Sequence, residues 1–304
     1  MPQDRPLLGI MLMLGFCALA PVGDALAKVL GQTLPLLQIL LVRFAVQAAI
    51  LSPLVLTQGW PQLSARVLRL TAIRTCLHIA GVGAMIASLR YLPLADAVAI
   101  AFVMPFIMLL LGKYILGEEV GRRRLAACAV GFVGTMLVIQ PSFAAVGAPA
   151  LLPLGFAVIF AFFMLVTRQA AKEAGPLLLQ FTSGLMATIG LSLVWAIFGG
   201  KLFDLGMVEV GRTETELLLA VGVVGTFAHL LMTWSLRFAP SATLAPMQYL
   251  EIPIATLVGF LIFGDLPNGL AAIGILITIA AGLYIIMRER TTARALSRPA
   301  PPAV

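Results

Sequence analysis

Ionisable and amide side chains stand at helical spacing inside long apolar runs of this chain. Gln248 and Glu251 are three residues apart, and Arg74 and His78 are four apart. Residues with these separations lie on one face of an α-helix. Carboxylate, guanidinium and imidazole groups bind charged solutes and exchange protons, so each pair marks a helix face that could do chemistry.

Other apolar runs carry polar residues at similar separations, namely Thr226, His229 and Thr233, then Arg43 and Gln47, and then Asp24 and Lys28. From all of these runs we take as candidates for substrate binding or coupling Glu251, Gln248, Arg74, His78, His229, Thr233, Arg43 and Asp24.

Structural roles compete with these functional ones. Glu251 is interpreted as a functional carboxylate, the alternative being a pair with a buried arginine that holds its helix in place. For Arg74 and His78, substrate contact and a structural clamp are equally favoured interpretations. For His229 a structural hydrogen bond, to Thr226 or to a backbone carbonyl, is the favoured interpretation.

Asp24 is interpreted as half of an ion pair, either with Lys28 in the favourable acid-before-base order or with Arg43 at similar depth. Gln47 and Gln180 could simply join helices by hydrogen bonds.

The composition places these side chains in a membrane. Of the 304 residues, 61% are hydrophobic and 11% are charged, with a mean hydropathy of +1.06, whereas a soluble domain is about 25% charged. Polar groups inside a bilayer are costly and usually face an interior cavity or a partner. The chain is therefore predicted to be a polytopic membrane protein.

Ten apolar stretches are near the ~20 residues that cross a bilayer as a helix. They are Leu7–Ala27, Pro35–Thr57, Arg69–Leu89, Leu94–Ile115, Leu125–Ile139, Leu151–Thr167, Leu177–Phe198, Leu217–Leu236, Ala242–Phe263 and Leu270–Met287.

Lysine and arginine are unequally divided between the two sides of this topology. With both termini in the cytoplasm, fourteen fall on the cytoplasmic side and four on the other, in line with the positive-inside rule. Topology then accounts for the net charge of +7, and no nucleic-acid partner is predicted. The tail, residues 289–304, is predicted to be disordered and cytoplasmic.

A ten-residue phrase occurs twice. SLRYLPLADA at residues 88–97 recurs as SLRFAPSATL at 235–244, and ten positions are identical when 88–118 is aligned without gaps to 235–265. Five predicted helices separate the copies, an odd number, so the copies face opposite ways across the membrane. Inverted repeats of this kind are typical of secondary transporters, whose substrate sites lie near midplane at the repeat interface.

The predicted fold is therefore an all-α membrane protein with ten transmembrane helices, arranged as two inverted-topology five-helix repeats. Residues 1–141 form the first repeat and residues 142–288 the second.

The alignment also assigns structural roles. Asp96 aligns with Thr243, each three residues after a proline, and because both types are good N-cap residues we interpret them as helix caps. Pro105 and Pro253 interrupt the fourth and ninth predicted helices near their middles. A proline there can kink a helix and free a carbonyl group, so both are interpreted as hinges.

The repeated corner continues as SLRYLPLADAVAIAFVMPFIMLLLGKYILGEEVGRRRLAACAVGFVGTMLVIQP, and the first two helices contain GDALAKVL and PLLQILLVRF. These stretches resemble the drug/metabolite transporter superfamily, EamA type, over about residues 7–288. The resemblance implies an inner-membrane carrier with a central cavity between two bundles, working by alternating access. The second half departs more from the family pattern; its best match is APSATLAPMQYLEIPIATLVGFLIFGD.

The predicted function is a secondary transporter, not driven by ATP, of a small polar or amphipathic metabolite across the bacterial inner membrane. The candidates Asp24, Lys28, Arg43, Arg74 and Glu251 sum to a charge of +1 with neutral histidines. That sum favours a zwitterionic or anion-bearing solute. Protons or a counter-substrate as coupling partner, and a monomer or a homodimer, stay open. The alternative function is a lipid or lipid-linked-group flippase, or a structural membrane subunit.

Motifs of other protein classes are missing from the sequence. It has no HExxH, no GxGD pair, no nucleophile elbow and no Walker A lysine motif, so neither an enzyme nor direct use of ATP is predicted. The three cysteines have no CxxC spacing, and no metal or cofactor is predicted.

Overall fold

A computed structural model describes residues 5–57, 63–115, 117, 121–199, 201 and 203–296. Every regular element among these residues is helical. The α-helices are α1 (Pro6–Gly31), α2 (Leu36–Leu56), α3 (Ala65–Leu89), α4 (Leu94–Ala101), α5 (Met104–Ile115), α6 (Arg122–Val146), α7 (Leu152–Glu173), α8 (Pro176–Phe198), α9 (Arg212–Phe238), α10 (Ser241–Leu244), α11 (Glu251–Phe263) and α12 (Gly269–Leu296).

The helices have the length and surface of membrane spans. Within the part of the chain that the structure describes, eight helical segments are long and apolar enough to cross a bilayer, α4 and α5 counting together as one. Two shorter apolar helices, Met247–Phe263 and Gly269–Ala281, accompany them. Large apolar side chains on the outside, among them Leu261 and Leu276, are more than half exposed, as expected where lipid replaces water. The chain is a multi-pass membrane protein.

Two helical regions are interrupted part-way along. Helix α4 ends at Ala101, and α5 begins at Met104. In the corresponding place of the second half, α10 leads into a 3-10 helix at Ala245–Leu250, and α11 begins at Glu251. The breaks come just before the predicted hinge prolines, because proline fits the first turn of a helix, where its missing N–H is not needed.

Helix boundaries recur at a constant separation along the chain. The starts of α3 and α9, of α5 and α11, and of α6 and α12 are each 147 residues apart. Gly117 and Gly264 have the same separation, and both have φ near +65 to +70°, the left-handed region that glycine enters without steric cost. The turn at the end of the fourth predicted span is thus repeated at the end of the ninth.

The main packing joins helices from opposite halves of the chain. Helix α1 packs on α9, α3 on α7, α2 on α8, and α6 on α12. If α1 corresponds to α7 and α3 to α9, the first two of these contacts are the same contact with the halves exchanged.

The structure corrects the cap interpretation. The N-cap of α4 is Pro93, and no side chain caps this helix. Asp96 is the third residue of α4 and accepts a hydrogen bond from Ser142 Oγ at 3.2 Å. Thr243 is likewise the third residue of α10, not the residue that precedes it. Pro93 already occupies the N-cap position of α4, three residues before Asp96, and α10 begins directly after Pro240.

The C-terminal helix is longer than expected. Helix α12 continues through Leu296, so residues 289–296, which we predicted as part of a disordered tail, are helical. This segment contains neither glycine nor proline, and nothing in it ends the helix. Residues 297–304 lie outside the described part of the chain.

Candidate functional site

A cavity lies inside the bundle between α1, α2, α3, α7, α9 and α11. It amounts to about 450 Å³ of space between protein atoms, its mouth included. Apolar and aromatic side chains form most of its wall, and its charged or titratable lining residues are Asp24, Arg43, His229 and Glu251. Four of the eight predicted site residues therefore meet in one cavity.

Arg43 and His229 join the two halves of the chain across this cavity. Arg43 Nη2 lies 3.2 Å from His229 Nε2. A guanidinium group has only donors, so Nε2 is the acceptor and the imidazole is neutral, with its proton on Nδ1. This nitrogen and Arg43 Nε have no partner among the described residues, which leaves both as donors for a solute.

Asp24 and Glu251 bring two carboxyl groups to the cavity. Glu251 is the first residue of α11 and is only 8% exposed. Neither carboxyl group makes a hydrogen bond or ion pair with the residues that the structure describes. The N-terminus of α11 carries a partial positive charge that favours a carboxylate there, but it supplies no counter-ion.

The expected partner of Asp24 is engaged elsewhere. Lys28 Nζ lies 3.1 Å from Asp265 Oδ2, beyond the end of α11, and 4.5 Å from the centre of the Phe263 ring. The local Asp24–Lys28 ion pair is therefore wrong, because Lys28, one turn further along α1, reaches the end of the bundle. No ion pair joins Asp24 to Arg43 within the described structure either, although the two line the same cavity.

Arg74 lies outside the cavity in a second polar cluster. It is fully buried, and Nε donates to Thr167 Oγ1 at 3.0 Å. Nη2 donates to Gln180 Oε1 and, at 3.4 Å, to Thr233 Oγ1. The guanidinium also lies over the ring of Phe163 at 4.9 Å. Arg74 thus clamps α3 to α7, α8 and α9.

His78 lies between the cavity and the Arg74 cluster. Its ring centre is 4.2 Å from that of His229 and 4.6 Å from that of Phe163. Neither ring nitrogen has a hydrogen-bond partner within the described part of the chain. His78 packs as an aromatic group, and it connects the two clusters by ring contact.

Gln248 and Thr233, like Arg74 and His78, do not line the cavity. Gln248 Nε2 approaches Met164 Sδ at 3.1 Å, because residues 245–250 form a 3-10 helix and the α-helical spacing to Glu251 does not apply. Thr233 Oγ1 donates to the carbonyl of His229 at 2.7 Å and receives Arg74. Both therefore belong to the packing around the site.

Sequence reasoning missed some of the residues that form the site. Phe160 and Phe156 line the cavity, with their rings stacked at 4.9 Å, but no pattern separates them from other phenylalanines of α7. Gly225 also lines the cavity, and a Cβ there would come within 2.7 Å of Arg43 Cζ. The signal for Gly225 was its place one turn before His229.

The two clusters differ in depth. Asp24 and Arg43 are each seven residues from the helix ends at Gly31 and Leu36, about 10 Å at 1.5 Å per residue. That end of the bundle is tied by Lys28 to Asp265 and by Arg90 to Asp204 at 2.9 Å. The Arg74 cluster lies nearer the opposite end, where Arg237 Nη1 donates to the carbonyl of Ala174 at 3.3 Å.

Among the described residues, no three His, Cys, Asp or Glu side chains come together as a metal site. The chemistry that this cavity offers is recognition of a charged solute by two carboxyl groups, a guanidinium and aromatic walls.

Comparison with known proteins extends these observations. A riboflavin transporter of Rhizobium johnstonii is 30% identical over 216 residues, which cover 71% of this chain and 69% of the relative. An S-adenosylmethionine uptake transporter of Rickettsia prowazekii is 24% identical over 88% of this chain and 89% of its own. The pseudopaline exporter CntI of Pseudomonas aeruginosa is 26% identical over 88% and 89% of the two chains.

The crystal structure of another protein has a similar fold, with a TM-score of 0.64 and 17% sequence identity to this chain. The match covers 96% of this chain and 98% of the other chain. The model of the EamA-like transporter family matches twice, at residues 7–140 and 148–288. Since the two matches together span nearly all the helices described above, the chain belongs to the EamA-like transporter family.

Proposed function

We propose that this protein is a secondary transporter that carries a small polar or amphipathic organic metabolite by alternating access. The observation that carries the proposal is the cavity, which presents charged side chains deep inside an apolar helical bundle. Burying such groups in a membrane protein is costly, and a solute path explains why they are there. No enzymatic role is proposed.

Alternating access requires two halves that exchange roles, and the architecture supports this. Helix starts recur at 147 residues, the helices pack crosswise, and the family model matches once in each half. We propose ten spans in two inverted repeats, residues 1–141 and 142–288. In this arrangement α4–α5 and α10–α11 are broken spans, the feature that lines substrate sites in many transporters of this type.

The names of the relatives support a small organic metabolite as substrate. They include a riboflavin transporter, an S-adenosylmethionine uptake transporter and a pseudopaline exporter. Because both uptake and export occur among these names, the direction of transport does not follow. Protons or a counter-substrate could each drive it.

The proposed location is the bacterial inner membrane, with both termini in the cytoplasm. The Lys28–Asp265 end of the bundle then faces outward, and the Arg237–Ala174 end faces the cytoplasm.

The test is counterflow in liposomes containing the purified protein, with labelled riboflavin and S-adenosylmethionine as first probes and a metabolite set chosen by thermal shift as the second stage. Saturable exchange that Glu251→Gln abolishes supports the proposal. Glu216→Gln, an equal change on the exposed surface of α9, is the matched control and keeps full flux. Scrambling of fluorescent lipids without any solute flux contradicts the transporter and favours a lipid flippase.

A further inference from the structure

We propose that the cavity selects solutes of net positive charge, with a cationic centre held between Asp24 and Glu251 and an apolar or aromatic part against the phenylalanine walls. This inference rests on the transport function proposed above, since it names the class of solute that the same cavity takes.

Carboxyl groups outnumber cationic groups in the cavity wall. The wall holds the carboxyl groups of Asp24 and Glu251 and a single guanidinium, that of Arg43. Opposite a solute cation, which favours the ionised form of both carboxyl groups, these groups sum to one negative charge. The sum over the sequence candidates was positive because it included Lys28 and Arg74.

Neither of those two cations lines the cavity. Lys28 is paired with Asp265 at the end of the bundle. Arg74 does not line the cavity, and its guanidinium donates to Thr167, Gln180 and Thr233. Neither can neutralise a charge in the cavity without breaking its own contacts.

His229 is the remaining titratable group of the wall. Its Nε2 accepts from Arg43, which requires an unprotonated nitrogen and a neutral ring. A positive charge on His229 would face the guanidinium at contact distance. The imidazole therefore adds no cation to the site.

The two carboxyl groups of the wall lack partners within the described structure. Neither Asp24 nor Glu251 makes a hydrogen bond or an ion pair there, and the one cation that lines the cavity with them, Arg43, is in contact with His229. Buried charges are normally paired. A solute cation between them supplies the missing pair, and it lies between α1 of the first half and α11 of the second.

The remaining wall defines the rest of the solute. Phe16, Phe156 and Phe160 present aromatic surface, which packs against apolar groups and attracts cations. Arg43 Nε and His229 Nδ1 are unpartnered donors that can receive a carboxylate or carbonyl of the solute. A zwitterion with one additional cationic group fits this wall, as does a simple organic cation.

The test uses three indole compounds of similar size and different net charge: tryptamine (positive), tryptophan (zwitterionic) and indole-3-propionate (negative). Thermal unfolding of the purified protein in detergent is measured with each compound at equal concentration. Tryptamine is expected to raise the Tm most, tryptophan less, and indole-3-propionate least. Titration of Tm against concentration converts each shift to a relative affinity.

Asp24→Asn and Glu251→Gln are each expected to lower the affinity for tryptamine about tenfold, the usual loss for a hydrogen bond to a charged group. In either variant the three compounds should then raise the Tm by similar amounts. Glu216→Gln keeps the ranking. The wild-type ranking alone already tests the inference if one variant does not fold.

Strongest stabilisation by indole-3-propionate overturns the proposal, as does a ranking that survives in both cavity variants, or no shift with any of the compounds. Counterflow separates this result from the transport function. If the liposomes carry anionic solutes in preference to cationic ones, the proposed charge class is wrong and the transport function stands. If the protein prefers to bind cations but carries no solute, the transport function is wrong and the charge class stands.

Discussion

The contact between Arg43 and His229 depends on a residue with no side chain. Gly225, one turn before His229 on α9, faces the guanidinium so closely that a Cβ would lie 2.7 Å from Arg43 Cζ and Nη1. The guanidinium is the far end of a long side chain and can move, but only away from its place over α9. Gly225 therefore sets the position of the cation in the cavity.

We expect Gly225→Ala to lower transport at least tenfold while the protein still folds, because a displacement of a charged contact by about 1 Å costs a large part of its energy. Flux in liposomes and the Tm are measured together. Gly190→Ala is the control, since a Cβ at this helical position meets nothing within 4 Å. Equal flux in both variants contradicts a positioning role for Gly225.

Substitutions of Arg74 and Glu251 should have different effects on the Tm, because only Arg74 makes hydrogen bonds in the described structure. Arg74→Gln leaves Thr167 Oγ1 and Gln180 Oε1 without their donor, and each buried group left unpaired costs about 1–3 kcal/mol. Glu251→Gln breaks no hydrogen bond of the described structure. We expect a clear fall in Tm for Arg74→Gln, and an unchanged or raised Tm with lost flux for Glu251→Gln.

The same two variants separate the competing interpretations of Glu251. A fall in Tm for Glu251→Gln as large as that for Arg74→Gln would mean that the carboxylate holds α11 in place and does not serve a solute.

At the scale of helices, α6 and α12 approach each other most closely at two glycines. A Cβ on Gly134 would meet the carbonyl oxygen of Gly274 at 2.7 Å and Thr278 Oγ1 even closer, and a Cβ on Gly274 would meet the carbonyl oxygen of Gly134. These obstacles include backbone atoms, which cannot rotate away. Small residues at such crossings allow helix backbones to pack in membranes.

Gly274→Ala is therefore expected to destabilise the protein by about 1–3 kcal/mol, the usual cost of overpacking, through separation of α6 from α12. The measurement is unfolding of the purified protein in mixed micelles with increasing denaturing detergent. Gly190→Ala serves again as control, because it adds the same methyl group to a helix with free space. A Gly274→Ala protein as stable as the control would show that this crossing is not tight.

The breaks in α4–α5 and α10–α11 show what sequence pattern can and cannot give for an element. The proline positions predicted an interruption, and the structure places one just before each of them. The 3-10 geometry of Ala245–Leu250 was not predictable, since apolar periodicity does not distinguish it from α-helix over six residues. With that geometry, Gln248 contacts Met164 and does not line the cavity beside Glu251.

For the molecule as a whole, composition predicted the membrane class, the apolar runs predicted the helical segments, and the resemblance of several stretches to a known family indicated the family. The charge of the site could not be predicted, because it depends on which cations find partners. Lys28 and Asp265 are 237 residues apart, and Arg74 and Gln180 are 106 apart. Residue spacing along one helix identifies candidate faces, but only the packing of several helices decides which faces share a cavity.

The proposed inverted topology makes a prediction about the two ends of the bundle. Arg90, at the α3–α4 corner, pairs with Asp204, so this corner lies beside the loop after α8. Arg237, at the repeated α9–α10 corner, donates to the carbonyl of Ala174, so that corner lies beside the loop after α7. The two copies of one sequence corner thus lie at opposite ends of the bundle, and they should lie on opposite sides of the membrane.

Single cysteines in a background without Cys17, Cys76 and Cys128 test this arrangement. Tyr91→Cys and Glu209→Cys are expected to react with a membrane-impermeant maleimide in intact spheroplasts, whereas Lys172→Cys should react only after the membrane is opened. All three positions are exposed, so burial does not limit labelling. The reverse pattern would keep the inverted repeat and invert the assigned orientation. Labelling of all three positions from one side contradicts the inverted repeat itself, because ends that lie on the same side cannot exchange access to a cavity between them.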